Sequence, residues 1–177
     1  MKQAQVCIVG GGCVGLTLAL GLAKADISVV VLDGAPAQAL PTDEYGLRVS
    51  ALSIASQTLL EQLNVWPEII AQRACAYTHM DVRDADSFGK IAFDNKQLEL
   101  EHLGHIVEND IIRYALIKEL EQQSSATLMF DTQYQQIHQS ESDVFITLKS
   151  GEPIIAKLLV AADGANSAIR KQFNMAL

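Results

Sequence analysis

The chain lacks nearly everything that would carry it into a membrane, out of the cell or onto a nucleic acid. No apolar run reaches the roughly 18 residues a membrane helix needs. The first apolar run is interrupted by glycines and has no small-residue cleavage site after it, so it is no signal peptide and a cytoplasmic chain is expected. Basic residues are scarce, 13 against 21 acidic ones for a net charge of −8, which argues against a nucleic-acid surface. No basic cluster marks a membrane-facing patch. The three cysteines, Cys7, Cys13 and Cys75, have no C-x-x-C spacing; they read as reduced thiols in the core, with a redox pair as the alternative. The four histidines offer one i,i+3 pair, His102 and His105, and no metal-ligand pattern. Internal repeats, low-complexity tracts and flexible linkers are missing too. What remains is a folded globular composition, 49% hydrophobic and 19% charged, over 177 residues, short for a two-domain enzyme. Trp66 and the phenylalanines are expected in its core.

Residues 5–15, QVCIVGGGCVG, are what the chain does have. Val6-Cys7-Ile8-Val9 suits a buried parallel strand, and the helical run from Val14 to Leu20 follows it. Between them Gly10, Gly12 and Gly15 form G-x-G-x-x-G. Gly10 allows a tight turn, Gly12 a close approach of backbone to pyrophosphate, and Gly15 close packing of helix on strand. The start of the helix, Cys13 and Val14, then offers N–H groups and a positive dipole end to the phosphates. A second strand, Ile27 to Leu32, ends at Asp33, 23 residues after Gly10, near the roughly 20 expected of the acid that binds the ribose hydroxyls. The alternative is a phosphate-free turn with Asp33 as a helix cap.

After an irregular stretch from Ala37 to Gly46 comes Arg48-Val49-Ser50-Ala51-Leu52-Ser53. Helices are expected from Ile54 to Leu63 and from Pro67 to Arg73. Period-two patterning predicts two strands within Thr78–Asp94, joined at Asp84-Ala85-Asp86-Ser87, and another strand ending at Ile106-Val107. Asn109 is placed as the cap of a helix over Ile111–Gln122. Thr127 to Phe130 reads as the third strand of the nucleotide sheet. Gln135–Ser140, Val144–Lys149 and Ile154–Lys157 read as a small antiparallel meander, and Leu158–Ala162 as a separate closing strand before Asp163-Gly164-Ala165-Asn166-Ser167 and a final helix. A long insertion after the second strand, a meander after the third and a closing acid–glycine turn suit a flavin fold. Nicotinamide folds alternate strand and helix more evenly.

The glycine turn with Asp33, the Arg48–Ser53 segment, and Val160-Ala161-Ala162-Asp163-Gly164-Ala165-Asn166-Ser167-Ala168-Ile169-Arg170 together resemble the FAD-dependent aromatic hydroxylases, the class A flavoprotein monooxygenases. Asp86–Asp94 and His102–Asn109 are most similar to the ubiquinone-biosynthesis branch, near the 2-polyprenylphenol hydroxylases. The resemblance implies an α/β fold: a Rossmann-like, three-layer FAD-binding domain with a β-meander, and in residues 74–107 strands of an incomplete mixed-sheet substrate domain. It covers the whole chain but not the whole family, whose members run about twice as long and carry a further Gly-Asp-Ala-Ala-His motif. The chain is therefore expected to be an amino-terminal portion, inactive by itself.

The same resemblance implies site roles. Gly10, Gly12, Cys13, Val14 and Gly15 would hold the FAD pyrophosphate and Asp33, where most relatives carry glutamate, the adenosine ribose. Arg48 would face the phosphates and ribityl chain; otherwise it is a surface arginine beside Asp43 or Glu44. Glu108 and Asn109 would lie beside the ribityl chain, with Arg113 meeting pyrophosphate or Asp163; otherwise Asn109 only caps a helix and Arg113 faces solvent. Asp163 would serve flavin and NAD(P)H, or simply cap the last helix. No catalytic nucleophile or acid–base pair stands out, and none is needed where a cofactor carries the chemistry. FAD is the implied cofactor, NAD(P)H the co-substrate, and a polyprenyl phenol and oxygen the substrates. Peripheral membrane or biosynthetic-complex association and self-association through exposed sheet edges are compatible with it. A nicotinamide dehydrogenase half-domain and a non-catalytic FAD- or prenyl-binding module are the other readings.

Overall fold

The first strand begins well before its apolar run. In the computed structural model, which describes residues 2–39 and 41–176, β1 spans Lys2–Val9. It starts early because a long parallel neighbour is in register with all of it, from Lys2 opposite Ile154 to Val9 opposite Ala161. The helix α1, Cys13–Lys24, crosses to β2, Val29–Leu32, which pairs in parallel with the other side of β1. All four residues of β2 are buried, which suits a β-branched run covered on both faces.

The elements that follow are β3 (Val49–Ser53), α2 (Ile54–Gln62), α3 (Trp66–Gln72), β4 (Cys75–Tyr77), β5 (His79–Arg83), β6 (Lys90–Asp94) and β7 (Gly104–Glu108). The chain then forms α4 (Asn109–Leu120), β8 (Ala126–Met129), β9 (Tyr134–Gln139), β10 (Val144–Leu148), β11 (Pro153–Ala161) and α5 (Ala168–Gln172). Two compact units result. Pro41–Ile112 form one, and the described residues before and after them form the other.

The outer unit holds a six-stranded sheet in the order β8-β2-β1-β11-β10-β9. Its parallel part is β8, β2, β1 and β11. The meander is not a separate layer of strands, because β10 pairs antiparallel with β11, and β9 with β10, in the same sheet. Nor are Ile154–Lys157 and Leu158–Ala162 two strands. No glycine, proline or polar turn separates Lys157 from Leu158, so one nine-residue strand runs through. Cys7, Val9, Val30 and Leu32 on one face pack with Ile137, Ile146, Leu148 and Ile154. The buried face of α1, Leu16, Ala19, Leu20 and Ala23, leaves its opposite side to solvent. An ion pair from Lys24 to Glu119 (2.7 Å) ties α1 to α4.

The unit Pro41–Ile112 carries a three-stranded antiparallel sheet, β3-β7-β4, and the hairpin β5–β6. The hairpin puts Met80 opposite Phe93 and Val82 opposite Ile91 on one face, and Asp81, Lys90 and His79 on the other. Several core assignments are corrected. Cys75 is exposed at the start of a short strand, and Phe88 projects wholly into solvent from the hairpin tip, with Phe93 and Phe145 also exposed. Trp66 is buried as expected. Cys7, Cys13 and Cys75 are in no disulfide, and burial pushes the Cys7 thiol up to about 12. Asn109 is the first residue of α4 rather than a flanking cap.

Candidate functional site

In the outer unit the turn after β1 is held from three sides. Gly10 has φ +114° and donates its N–H to the Leu32 carbonyl at 2.8 Å. A Cβ there would sit 2.2 Å from the Ala162 carbonyl oxygen, and one on Gly15 would sit 2.0 Å from the Gly10 oxygen. Gly11, outside the motif, is equally constrained, since a Cβ would come within 2.7 Å of Asp33 Oδ2 and 3.1 Å of the Phe130 ring. Gly12 differs: a Cβ there would meet nothing within 4 Å. No contact inside the fold requires glycine at 12 beyond its place as the helix N-cap, and the space beside it is open to a group approaching from outside.

Gly12 is the N-cap of α1 in extended conformation and makes no side-chain cap bond. Cys13 and Val14 are the first two helical residues, ahead of the first helical hydrogen bond from Leu16 N–H to Gly12 O. Val14 is 78% exposed at the open end of the helix. This is the positive end of a 12-residue dipole with no acidic residue in its first turn.

Gly10, Gly12, Asp33 and Asp163 border a cavity of about 600 Å³ that Gln133 and Lys149 also line. Asp33 Oδ2 accepts from Gly11 N–H at 2.6 Å and Oδ1 from Ala35 N–H at 2.8 Å, so the carboxylate is fixed at the rim. Arg113 Nε donates to the Gly11 carbonyl at 2.9 Å and Nη1 to Gln38 Oε1 at 3.1 Å, so it braces the glycine turn from behind. Asp163 Oδ2 caps α5 through Ala168 N–H (2.9 Å) and Ile169 N–H (3.4 Å). Its Oδ1 is buried with no hydrogen-bond partner. Burial first, and the Asp163 charge second, raise the Tyr134 hydroxyl above its ordinary range. An open cradle at Gly12 and an orphaned acceptor at Asp163 on one cavity fit a dinucleotide such as FAD.

The remaining expected residues belong to Pro41–Ile112. Arg48 is exposed and leads into β3. Its carbonyl accepts from Asn109 N–H at 3.0 Å, and Asn109 Oδ1 accepts from Ser50 Oγ at 2.6 Å. Glu108 is buried, with Arg73 on both oxygens (2.8 and 3.3 Å) and Gly46 N–H on Oε2. The Arg73 hydrogen bond lowers the Glu108 carboxyl; burial opposes it, and the Gly46 N–H and the Arg73 charge add to the lowering. His105 lies edge-on to Trp66 and to His102, and its Nδ1 is buried with no hydrogen-bond partner. Burial, then the His102 charge, pushes its ring below the ordinary range.

Sequence reasoning missed Gly11, Arg73, Gln133 and Lys149. The unbroken GGG run, with a glycine between the two motif positions, was a signal for Gly11; the other three carry none.

A family model described as FAD binding domain matches residues 3–177. The 3-demethoxyubiquinol 3-hydroxylase of Escherichia coli (strain K12) is 38% identical over 171 residues, an alignment covering 96% of this chain and 44% of that protein. The mitochondrial ubiquinone biosynthesis monooxygenase COQ6 of Homo sapiens is 35% identical over 182 residues, covering 94% and 38%. The chain thus spans less than half the length of these relatives. Among solved structures, a mutant of P. aeruginosa PqsL superposes with a TM-score of 0.80 at 18% identity, over 99% of this chain and 47% of that one. The p-nitrophenol 4-monooxygenase PnpA from Pseudomonas putida DLL-E4 superposes with a TM-score of 0.75 at 22% identity, over 98% and 44%. Both share the fold.

Proposed function

The chain belongs to the FAD binding domain family, and from that membership we propose that it is the dinucleotide-binding part of a flavin monooxygenase that hydroxylates a polyprenyl phenol in ubiquinone biosynthesis. NAD(P)H is the reductant and oxygen the co-substrate in this reading. The names of the ubiquinone-hydroxylating relatives support it. The observation that carries it is the bare face of Gly12, turned to open space in a turn whose three other glycines are each hemmed in by the protein.

The residues take these roles. The Gly10–Gly15 turn and the first N–H groups of α1, at Cys13 and Val14, hold the pyrophosphate. Asp33 keeps its two backbone bonds and offers its remaining lone pairs to the adenosine ribose. Arg113 keeps the turn in shape through Gly11. Arg48 supplies two parallel N–H donors to phosphate or ribityl oxygens. Asp163 Oδ1, still lacking a donor, accepts from a ligand hydroxyl. Glu108 and Asn109 hold the backbone that leads into and out of Arg48. When bound, the flavin supplies the electron transfer and oxygen chemistry. The protein binds it, orients it and keeps water away.

This chain alone holds FAD without coupled hydroxylation in this reading. A polyprenyl substrate partitions into lipid, so peripheral contact with a membrane or a biosynthetic complex goes with the proposal. Among the described residues no helix is long and apolar enough to cross a membrane.

The test is titration of FAD into the purified chain, followed by flavin fluorescence, with Gly12→Ala beside it. Gly12 is already in an extended conformation that alanine adopts, so the variant should lose under about 1 kcal/mol of stability as a poorer helix cap. It should lose at least about tenfold in FAD affinity, some 1.4 kcal/mol. A wild-type chain that binds no flavin, or a variant that binds it equally well, overturns the reading.

A further inference from the structure

Residues 41–47 have no secondary structure of their own, yet they lead directly into Arg48. They are fastened by two side chains. Arg73, the C-cap of α3, donates from Nη1 to the Thr42 carbonyl at 2.7 Å and from Nη2 to the Glu44 carbonyl at 3.2 Å. Its Nε and Nη2 also fork onto Glu108, and Glu108 Oε2 accepts from Gly46 N–H. The guanidinium lies over the Tyr45 ring, 5.2 Å from its centroid. Two residues on, Asn109 N–H holds the Arg48 carbonyl. Every other residue from 42 to 48 is thus tied to Arg73 or to the β7–α4 junction.

Only arginine fits this position. Its five N–H donors spread over a planar fork reach one carboxylate and two carbonyls at once, whereas lysine carries three donors on a single nitrogen. The charge of Arg73 also offsets the cost of burying Glu108. We propose that Arg73 is a positioning residue: with Glu108 it staples the 42–46 loop and so sets where the Arg48 end of that loop meets FAD. The cofactor half of this statement rests on the function proposed above; the staple itself does not.

The experiment compares Arg73→Lys, Arg73→Gln and Arg48→Gln in the whole chain by hydrogen exchange of the Gly46 amide without FAD, and by FAD affinity. R73K keeps a charge beside Glu108 and so keeps the fold, which its melting temperature checks. Both Arg73 variants should speed exchange of the Gly46 amide, the loop N–H that Glu108 holds, at least tenfold, leave exchange in the six-stranded sheet unchanged, and weaken FAD binding at least tenfold. R48Q should weaken FAD while the loop stays protected. Wild-type loop protection in R73K overturns the staple. A freed loop with undiminished FAD affinity overturns its role toward the cofactor. R48Q binding FAD as tightly as wild type removes Arg48 from the proposed function and overturns the staple's role toward the cofactor, leaving the staple itself to loop exchange alone.

Discussion

Three neighbouring glycines of the turn are glycine for reasons inside the fold, and one is not. At Gly15 a methyl group would be driven to 2.0 Å from the Gly10 carbonyl oxygen, so helix and strand must part to admit it. Gly15→Ala should therefore cost about 1–3 kcal/mol of stability, as overpacked sites do. A thermal or urea melt checks this, and a variant as stable as wild type would show the contact to be soft. The spacing of Gly10, Gly12, Gly15 and Asp33 was legible in the sequence because a strand, a glycine turn, a helix and a following acid form a recurrent pattern. Gly11 was not, because its constraint comes from Asp33, 22 residues away, and from Phe130. Arg73 was illegible for the same reason. Its partners lie 31, 29 and 35 residues off, on a loop and a strand with no shared period. Asp163 was read both ways, as cap and as ligand group, and its two oxygens divide along that line, one capping α5 and one without a donor.

Between elements, α3 and β7 meet at a titratable contact. The Trp66 indole packs edge-on against His105, ring centroids 5.1 Å apart. His105 is held neutral by burial and by His102, so its folded value lies below the unfolded one of about 6.5. The stability this neutral ring contributes is fully present above about pH 6.5 and is lost as pH falls through the depressed folded value. Trp66 is the single tryptophan of the chain. Its emission should therefore change with a midpoint below pH 6.5, and His105→Phe should abolish that step; a pH-independent signal would separate the two rings. Glu108, also depressed, adds a further loss at lower pH, below its unfolded value of about 4.3. Strand patterning was legible where apolar and polar residues alternate. The β5–β6 hairpin fell where alternation placed it. The join of β11 did not, because period two cannot mark where one strand ends and a collinear one begins.

For the whole molecule, the family and the order of elements were legible, and the assembly of sheets was only partly so. The meander was expected and is antiparallel, but its place was not legible: β10 and β9 extend the parallel sheet through β11. Beyond Ala156 no strand among the described residues pairs with the edge of β11 that β10 leaves, and Leu158 there is 54% exposed. Val82, Ile91 and Phe93 are likewise exposed on the hairpin. Open edges and apolar faces of this kind recruit further copies of the same chain. Sedimentation velocity should show species larger than a monomer as concentration rises, reduced by Leu158→Lys with Ile91→Lys. A monomer at every concentration would show these faces to be inert.

The register of β1 has a consequence for how the protein is made. Lys2–Val9 leave the ribosome about 150 residues ahead of Ile154–Ala161, their partner on one side, and Gly10 leans on the Ala162 carbonyl. At about 5–20 residues per second, synthesis leaves that first strand waiting on the order of ten seconds or more for its other neighbour. Until then the nascent turn has no floor. A chaperone that shields emerging apolar segments should meet this protein at β1, and any translational stall before residue 161 should leave a product unable to hold a nucleotide.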